Sequence, residues 1–412
     1  MRILTVIGTR PEAIKMAPVV ATLRRRPRVE SIVCMTGQHR EMLHQVLPQL
    51  DLEAQLDLAL VRPGQSLNET TAAILAGIDK VLASVRPDRV MVQGDTTTAM
   101  AAAMAAFNRG LPIAHVEAGL RTHDPVRPWP EEINRRTIDG YSDLLFAPTA
   151  RAKANLLAEN QPGRIVLTGN TGIDSLEAGS NRLDGDHALR ARIDQELPAL
   201  SQDKRLILVT GHRRETLGNG LLNVCHALSR LSERDDVEIL YALHLNPEVE
   251  GPVRRALGDR ANIHLAPPQS YLGFIRLMQR AHFVISDSGG VQEEAPALGK
   301  PVLVTRTETE RGEGVDVGAA QLVGTEPAAI VAAASHLLDD EIRYRQRAQR
   351  RSPFGDGRAA ARIVDTLLGL EVEEFESFGV DPASAARTLS RGRGGGSEAG
   401  LRTFSAAPRS AT

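Results

Sequence analysis

Short apolar runs alternate with longer stretches of helical periodicity from the first residues to about position 370. The run 3–7 (ILTVI) stops at Gly8, and Thr9 with Glu12 then makes a T-x-x-E helix start that carries Arg10 and Lys15 in its first turns. Further strands are predicted at 31–35, 90–93, 113–116, 144–146 and 165–167, with a loop at 62–65 and a helix at 69–84. The segment GNTGID at 169–174 reads as a crossing between domains. Beyond it the alternation restarts, with strands at 206–209, 238–243, 263–265, 283–286 and 301–305. Helices are expected at 221–231, 271–280, 327–338, 340–350 and 358–370. Such alternation in two blocks predicts an α/β chain of two doubly wound parallel sheets facing one another. From about 371 the chain turns rich in Gly, Ser, Arg and Ala without periodicity, so an unstructured tail is expected.

Composition narrows the partners. At 412 residues the chain exceeds what one hydrophobic core serves, in keeping with two domains. The balance of 49 basic against 51 acidic residues gives no reason to expect nucleic acid or an anionic membrane. Cys34 and Cys225 lie far apart within apolar runs and read as small core residues rather than a disulfide or metal pair. Met1 leads straight into a strand, and no apolar run is long enough to span a bilayer, so a cytoplasmic location is expected.

The chemistry gathers at predicted strand ends, where open α/β sheets bind ligands. The stretch IAHVEAGLRTHDPVRPWPEEINRRTIDGYSDLLFAPT at 113–149 delivers Glu117 at a strand end. Across a loop it presents Glu131 and Glu132 in the first turn of a helix opened by Pro130. Paired carboxylates in that position suit proton transfer at a sugar carbon or oxygen. Complementing the helix dipole and pairing with Arg135 at i, i+4 would account for Glu131 as well. Asp95, after the strand at 90–93, stands either as a helix N-cap or as a further acid at a strand end. In SDSGG at 286–290, Ser288, Gly289 and Gly290 offer a hydroxyl and free amides to a diphosphate, and Glu294 one turn on suits a ribose diol. A Gly-rich turn followed by a dipole-complementing Glu is the plainer account. His212 and Arg213 bring an imidazole and a fixed charge to the end of the strand at 206–209, while His39 and His244 end two other strands. The G-x-G-x-x-G fingerprint, the P-loop, G-x-S-x-G and metal-ligand spacings are all missing, so no nicotinamide cofactor and no metal are expected.

Seven blocks, in order over roughly 1–370, make a resemblance specific: GTRPEAIKMAPV at 8–19, QGDTTTAMAAA at 93–103, HVEAGLRT at 115–122, PWPEEINR at 128–135, GHRRET at 211–216, SDSGGVQEEAPALGKPVLV at 286–304 and SPFGDGRA at 352–359. The chain resembles the non-hydrolysing UDP-N-acetylglucosamine 2-epimerases. The resemblance implies the GT-B architecture, with Rossmann-like domains at 1–170 and 171–357, the second binding UDP. A C-terminal helix at 358–372 would pack back on the first domain, followed by the tail at 373–412. A homodimer acting on a UDP-sugar without a cofactor is implied too. Matching motif positions make Asp95, Glu117, Glu131 and His212 the catalytic group. Arg10, Lys15, Gln269, Phe274, Ser288, Gly289, Gly290, Glu294 and Arg311 become contacts to UDP or its phosphates, with Arg135 and Arg213 in the same substrate-binding set. Gln38, His39 and His244 match a second site, where bacterial members bind an activating substrate molecule.

The sequence departs from the family pattern in three places. HDPVR at 123–127 replaces a Tyr/Ser-containing loop, Ala73 stands where relatives often carry an Arg of the second site, and Gly312 follows Arg311 where Pro is usual. Weak or absent substrate activation is the expectation from Ala73. The implied reaction expels UDP from C1 and a proton from C2 to give 2-acetamidoglucal, then returns both with the proton on the opposite face. Two faces need two proton carriers, which several carboxylates around one cleft supply. The alternatives are a hydrolysing epimerase, a GT-B glycosyltransferase and a non-catalytic nucleotide-sugar sensor, with a 2-epimerase of a modified UDP-GlcNAc as a nearer variant. GTRPEAIK argues against the first, the number of acids against the second, and the presence of all four catalytic side chains against the third.

Overall fold

The computed structural model describes residues 1–38, 40–62, 64–211, 218–244, 246–349 and 352–377. The first block runs β1 (Arg2–Ile7), α1 (Arg10–Arg24), β2 (Glu30–Met35), α2 (Arg40–Val46), β3 (Leu56–Asp57), α3 (Leu67–Val85) and β4 (Arg89–Gln93). It continues through α4 (Thr97–Asn108), β5 (Ile113–Val116), α5 (Glu131–Tyr141), β6 (Leu144–Ala147), α6 (Ala150–Ala158) and β7 (Arg164–Leu167). Two helices, α7 (Thr171–Gly185) and α8 (His187–Glu196), lead into the second block. That block comprises β8 (Arg205–Thr210), α9 (Asn219–Leu231), β9 (Val237–Ala242), α10 (Pro247–Leu257), β10 (Ile263–Ala266), α11 (Tyr271–Arg280) and β11 (Phe283–Ser286). It closes with α12 (Gly289–Ala297), β12 (Val302–Val304), α13 (Gly312–Asp316), β13 (Ala320–Leu322), α14 (Pro327–Asp339), α15 (Glu341–Arg347) and α16 (Ala359–Leu367).

Among the described residues the strands form two sheets, in the orders β3-β2-β1-β4-β5-β6-β7 and β10-β9-β8-β11-β12-β13. Every pairing is parallel. Parallel strands carry helices on both faces, so they read as continuous apolar runs; β1 is buried from Ile3 to Ile7. The Ala-rich α4 packs against both α3 and α5, and its Ala99, Ala102, Ala103 and Ala106 are fully buried. In each sheet the strand order reverses once, between β1 and β4 and between β8 and β11. Helices leaving those two strands depart to opposite faces, which opens a crevice at the carboxyl ends of the sheet.

The elements beyond those read from sequence are mostly too short or too polar to show as apolar runs. They are the edge strands β3 and β13 and the helices α6, α7, α8, α10 and α13. The segment expected to be a plain crossing begins α7, which packs against α1, α11, α12 and α16 and so touches elements of both blocks. Helix α16 lies along α1, with Arg26 paired to Asp365. It has no side-chain cap of its own; instead Asp174 of α7 accepts the amides of Ala359 at 3.3 Å and Ala360 at 2.8 Å. Burial pushes the Asp174 carboxyl up to about 6.

Residues 373–377, expected to begin an unstructured tail, are docked instead. The Phe375 amide donates to Leu167 O at 2.9 Å on the edge strand β7, and its ring is buried with Ala118, Leu145, Ala147, Ala152 and Leu156. Glu374 pairs with Lys153 at 2.5 Å and accepts the Leu167 amide at 3.2 Å. Ser377 Oγ donates to Pro353 O at 2.9 Å. Val372, Phe375 and Phe378 are too short an apolar run in an acidic stretch to stand out, so only the pocket beneath Phe375 reveals the anchor.

This strap makes the first prediction. Ending the chain at Ser377 should leave the melting temperature unchanged, whereas ending it at Leu370 should lower it by several degrees. Phe375→Ala alone should cost about 3 kcal/mol, in the range for deleting a buried aromatic ring. Equal melting temperatures for the two truncations would show that the strap adds nothing to the fold.

Candidate active site

The loops after β1, β4 and β5 carry the acidic and basic side chains of the first block. The β1–α1 turn is fixed by a reciprocal cap in which Thr9 accepts the Glu12 amide while Glu12 accepts the amides of Gly8 at 3.0 Å and Thr9 at 2.7 Å. Gly8 permits this turn to press on α4, since a Cβ there would run into the Thr98 hydroxyl. Arg10, next in the chain, donates to Gln269 O at 3.3 Å and thereby links the two blocks.

Lys15, one turn further along α1, lies 2.6 and 2.7 Å from the two carboxylate oxygens of Glu117, and the Gln93 amide donates to the same carboxylate. Glu117, immediately after β5, is in the left-handed region, at φ 69°. A non-glycine residue there carries about 1–3 kcal/mol of strain, which these contacts offset. Burial alone would raise the Glu117 carboxyl, but Lys15, with Arg311 and Arg135, holds it below the ordinary carboxylate value. Burial would likewise depress the Lys15 ammonium, and Glu117 with Glu293 raises it instead.

The capping account of Asp95 and the Arg135 pairing of Glu131 fail on geometry, although Glu131 does sit in the first turn of α5, where it complements the dipole. Thr96, not Asp95, caps α4, accepting the Ala99 amide at 3.0 Å. The Asp95 carboxylate takes Arg135 Nη2 at 2.5 Å, and its backbone carbonyl takes Asn134 Nδ2 at 2.9 Å. Arg135 is thus paired with Asp95, and with Glu132 at 3.4 Å, rather than with Glu131. Among the described residues the buried Glu131 Oε2 has no hydrogen-bond partner. Glu132 has a separate task, accepting the amides of Thr122 at 3.1 Å and His123 at 3.2 Å and so fixing the loop before α5.

On the facing block Ser288 stands at the N-cap of α12 without using its hydroxyl as a cap. Gly289 is backed by Arg311, whose Cζ lies 2.8 Å from where a Cβ would be, while Gly290 has room for one. Arg311 Nε donates to Glu293 at 2.9 Å and the guanidinium also pairs with Glu310. The other Glu293 oxygen accepts Asn170 Nδ2 at 2.6 Å, from the crossing between blocks. Burial raises the Glu293 carboxyl against the pull of Arg311 and Lys15. Burial, helped by the Glu293 charge, pushes Glu294 up to about 7. Phe274 of α11 is half-buried against the core, and Gln269 folds its amide onto Pro267 O at 2.6 Å.

Contacts therefore join Lys15 to Glu117 and Arg135 to Asp95 on the first block, with Glu131 on the same helix as Arg135, while Ser288, Gly289, Gly290, Glu294 and Arg311 gather around the start of α12 on the other. Of the second-site residues, Gln38 accepts Thr98 Oγ1 at 2.9 Å beyond β2, and His244 is exposed beyond β9. His39, His212 and Arg213 lie outside the described residues. Sequence reasoning missed Gln93 and Glu293. A polar residue closing the apolar strand RVMVQ was the available signal for Gln93; Glu293 was hidden in a doublet whose second member drew the attention.

Two parallel-sheet domains whose strand ends bring charged walls together define an α/β protein of the GT-B architecture. A family model described as UDP-N-acetylglucosamine 2-epimerase matches residues 21–368. The UDP-N-acetylglucosamine 2-epimerase of Salmonella typhimurium is 48% identical over 375 residues, which are 90% of this chain and 100% of that protein. The crystal structure of the Neisseria meningitidis UDP-GlcNAc 2-epimerase bound to UDP-GlcNAc has a TM-score of 0.85 at 44% identity, covering 90% of this chain and 100% of its own. The S. aureus MnaA–UDP structure has a TM-score of 0.81 at 38% identity, covering 92% and 100%. The chain belongs to the UDP-N-acetylglucosamine 2-epimerase family.

The Lys15–Glu117 pair yields a prediction on stability. In the native protein the Glu117 carboxyl sits below its ordinary 4.5, so its contribution is present above about pH 4.5 and is lost as pH falls. In Lys15→Met burial prevails, the carboxyl rises, and stability is lost as pH increases instead. The substitution should cost about 3–5 kcal/mol at pH 8 and much less at pH 5. Adding Glu117→Gln should recover most of the loss at pH 8. A loss independent of pH in urea unfolding would contradict this account of the pair.

Proposed function

We propose that this chain interconverts UDP-N-acetylglucosamine and UDP-N-acetylmannosamine without net hydrolysis, by eliminating and re-adding UDP in the cleft between its domains. The observation that carries this reading is that Arg135 pairs with Asp95 and its charge acts on Glu117, while Glu131, four residues before it on α5, keeps a buried carboxylate oxygen without a partner among the described residues, opposite the Ser288–Arg311 wall. The C2 proton of the sugar is not acidic, and expelling UDP from C1 makes its removal feasible. One carboxylate takes the proton, and a second group returns one to the opposite face; Asp95, Glu117, Glu131 and His212 are the groups assigned to this work. Ser288 and the amides of Gly289 and Gly290 at the start of α12 receive the diphosphate. Arg10, Lys15, Arg135, Arg213 and Arg311 supply the positive charge that stabilises it as it leaves. Gln269, Phe274 and Glu294 complete the nucleotide contacts.

In heavy water, product formed from UDP-GlcNAc should carry deuterium at C2 by proton NMR. An oxygen-18 label bridging C1 and phosphorus should scramble into the non-bridging oxygens. Amide replacements of Asp95, Glu117 and Glu131 should each lower kcat by about 10²–10⁴-fold. Epimerised product with neither deuterium nor scrambling would overturn the mechanism, and free sugar as the main product would place the reaction in the hydrolysing class.

Glu294 gives the reading a pH signature. With the free carboxyl titrating at about 7, the ionised acceptor that a ribose diol prefers is lost as pH falls through neutrality. UDP-GlcNAc affinity, measured by calorimetry on the Asp95→Asn protein, should therefore be about tenfold weaker at pH 6 than at pH 8. Glu294→Gln should bind weakly at both. An unchanged affinity in that variant would remove Glu294 from the nucleotide site.

A further inference from the structure

His115 was not among the candidate site residues, yet it occupies the interior of β5 with no exposure to solvent. Both of its ring nitrogens are engaged. Nδ1 lies 2.6 Å from Asp139 Oδ1 on α5, and Nε2 lies 2.7 Å from the carbonyl oxygen of Gly94, between β4 and Asp95. Asp139 is also buried and takes Arg121 Nη2 at 2.7 Å; Arg121 in turn holds Glu159, at the end of α6, through contacts of 2.7 and 2.9 Å. Burial would raise the Asp139 carboxyl, but His115 and Arg121 outweigh it and keep it ionised.

A carbonyl oxygen only accepts hydrogen bonds, and so does an ionised carboxylate. Both ring nitrogens of His115 therefore donate, which makes the ring an imidazolium. The cluster is then balanced, with His115 and Arg121 against Asp139 and Glu159. The charge-assisted bond to Gly94 O is aimed at a point where the chain has no stiffness of its own, since Gly94 is in the left-handed region at φ 69°. The Gly94 carbonyl lies in the same peptide plane as the Asp95 amide and Cα, so holding that oxygen sets the direction in which the Asp95 side chain leaves the backbone.

We infer that His115, held doubly protonated by Asp139, is a positioning residue for the proton-transfer carboxylate Asp95, acting through the Gly94 carbonyl. This rests on the role proposed for Asp95. Asn134 on the Asp95 carbonyl, Arg135 on its carboxylate and Thr96 on Glu12 fix the rest of the loop. Beneath the loop the Gly94 amide donates to Val116 O at 2.9 Å, and His115 holds the carbonyl of the same glycine, in the peptide that precedes the acid.

The test compares two substitutions of similar size. His115→Gln reaches as far as Nε2 and keeps a donor for Gly94 O, whereas His115→Asn reaches only as far as Nδ1 and leaves that oxygen unmet. Displacing a reacting group by about 1 Å can cost about 10²-fold in rate. His115→Asn should therefore lose about that much in kcat with KM changed less than about twofold, while His115→Gln keeps most of the rate. In the Asp95→Asn background His115→Asn should cost little more, because the group it positions is already gone. Nitrogen-15 shifts of His115 in the unsubstituted protein should show both ring nitrogens protonated at pH 7. Equal losses in the two His115 variants, a KM effect without a kcat effect, or a fully additive loss in the Asp95→Asn background would overturn the inference. If His115→Asn does not fold, a neutral His115 ring in the nitrogen-15 spectrum overturns it on its own. Full activity of Asp95→Asn would refute the role of Asp95 instead, a result distinguishable from all of these.

Discussion

The buried pair of Lys15 and Glu117 is the constraint on which the site depends. It joins the first helix to the end of the fifth strand, and it holds Glu117 in a backbone conformation that the residue would not adopt unaided. Two buried charges are stabilising only when their geometry is close and their remaining valences are met. Both conditions hold here, with contacts of 2.6 and 2.7 Å and Gln93 on the same carboxylate. Arg311 and Glu293 repeat the arrangement on the second domain, and the charges of the two pairs act on one another across the cleft. Lys15, Arg135 and Arg311, three of the cations that the proposed reaction would turn toward a diphosphate, are thus each paired with an internal carboxylate.

This balance ties the chemistry to the architecture. Glu293 is anchored to Asn170 at the crossing between domains, and Arg10 reaches a backbone carbonyl of the second domain. The same crossing is tied from behind. Phe375 covers the edge of the first sheet beside Leu167, Arg362 donates to Thr168 O, and Ser377 is bonded to Pro353. Asp174 meanwhile caps the last helix from the bridging helix. The cleft walls are thus set by polar joints at the crossings together with an apolar core that runs from the first block through α7 into the second.

Much of the site was legible because parallel α/β folds deliver side chains at the carboxyl ends of strands, and those ends show as the last apolar residue of a run. Asp95, Glu117, Ser288 and Gly289 were read in this way. Glu131 was legible as a position, but its sequence neighbours offered an ordinary partner in Arg135, and helical spacing alone could not reject it. The fold rejected it by placing Asp95 where Arg135 reaches more closely.

The amino-acid sequence by itself determined the two blocks of strand and helix, their parallel pairing and the family, because these follow from local periodicity and from short contiguous motifs. Tertiary structure alone decided which charges meet. Lys15 and Glu117 are 102 positions apart, and Asn170 and Glu293 are 123 apart, so no local pattern pairs them. It also decided that residues 373–377 dock, since Phe375 is stabilising only where a pocket awaits it. His115 is the sharpest case. Inside an apolar strand it reads as a satisfied core histidine, and only the sheet order that sets β5 beside β4 brings its ring to the carbonyl before Asp95.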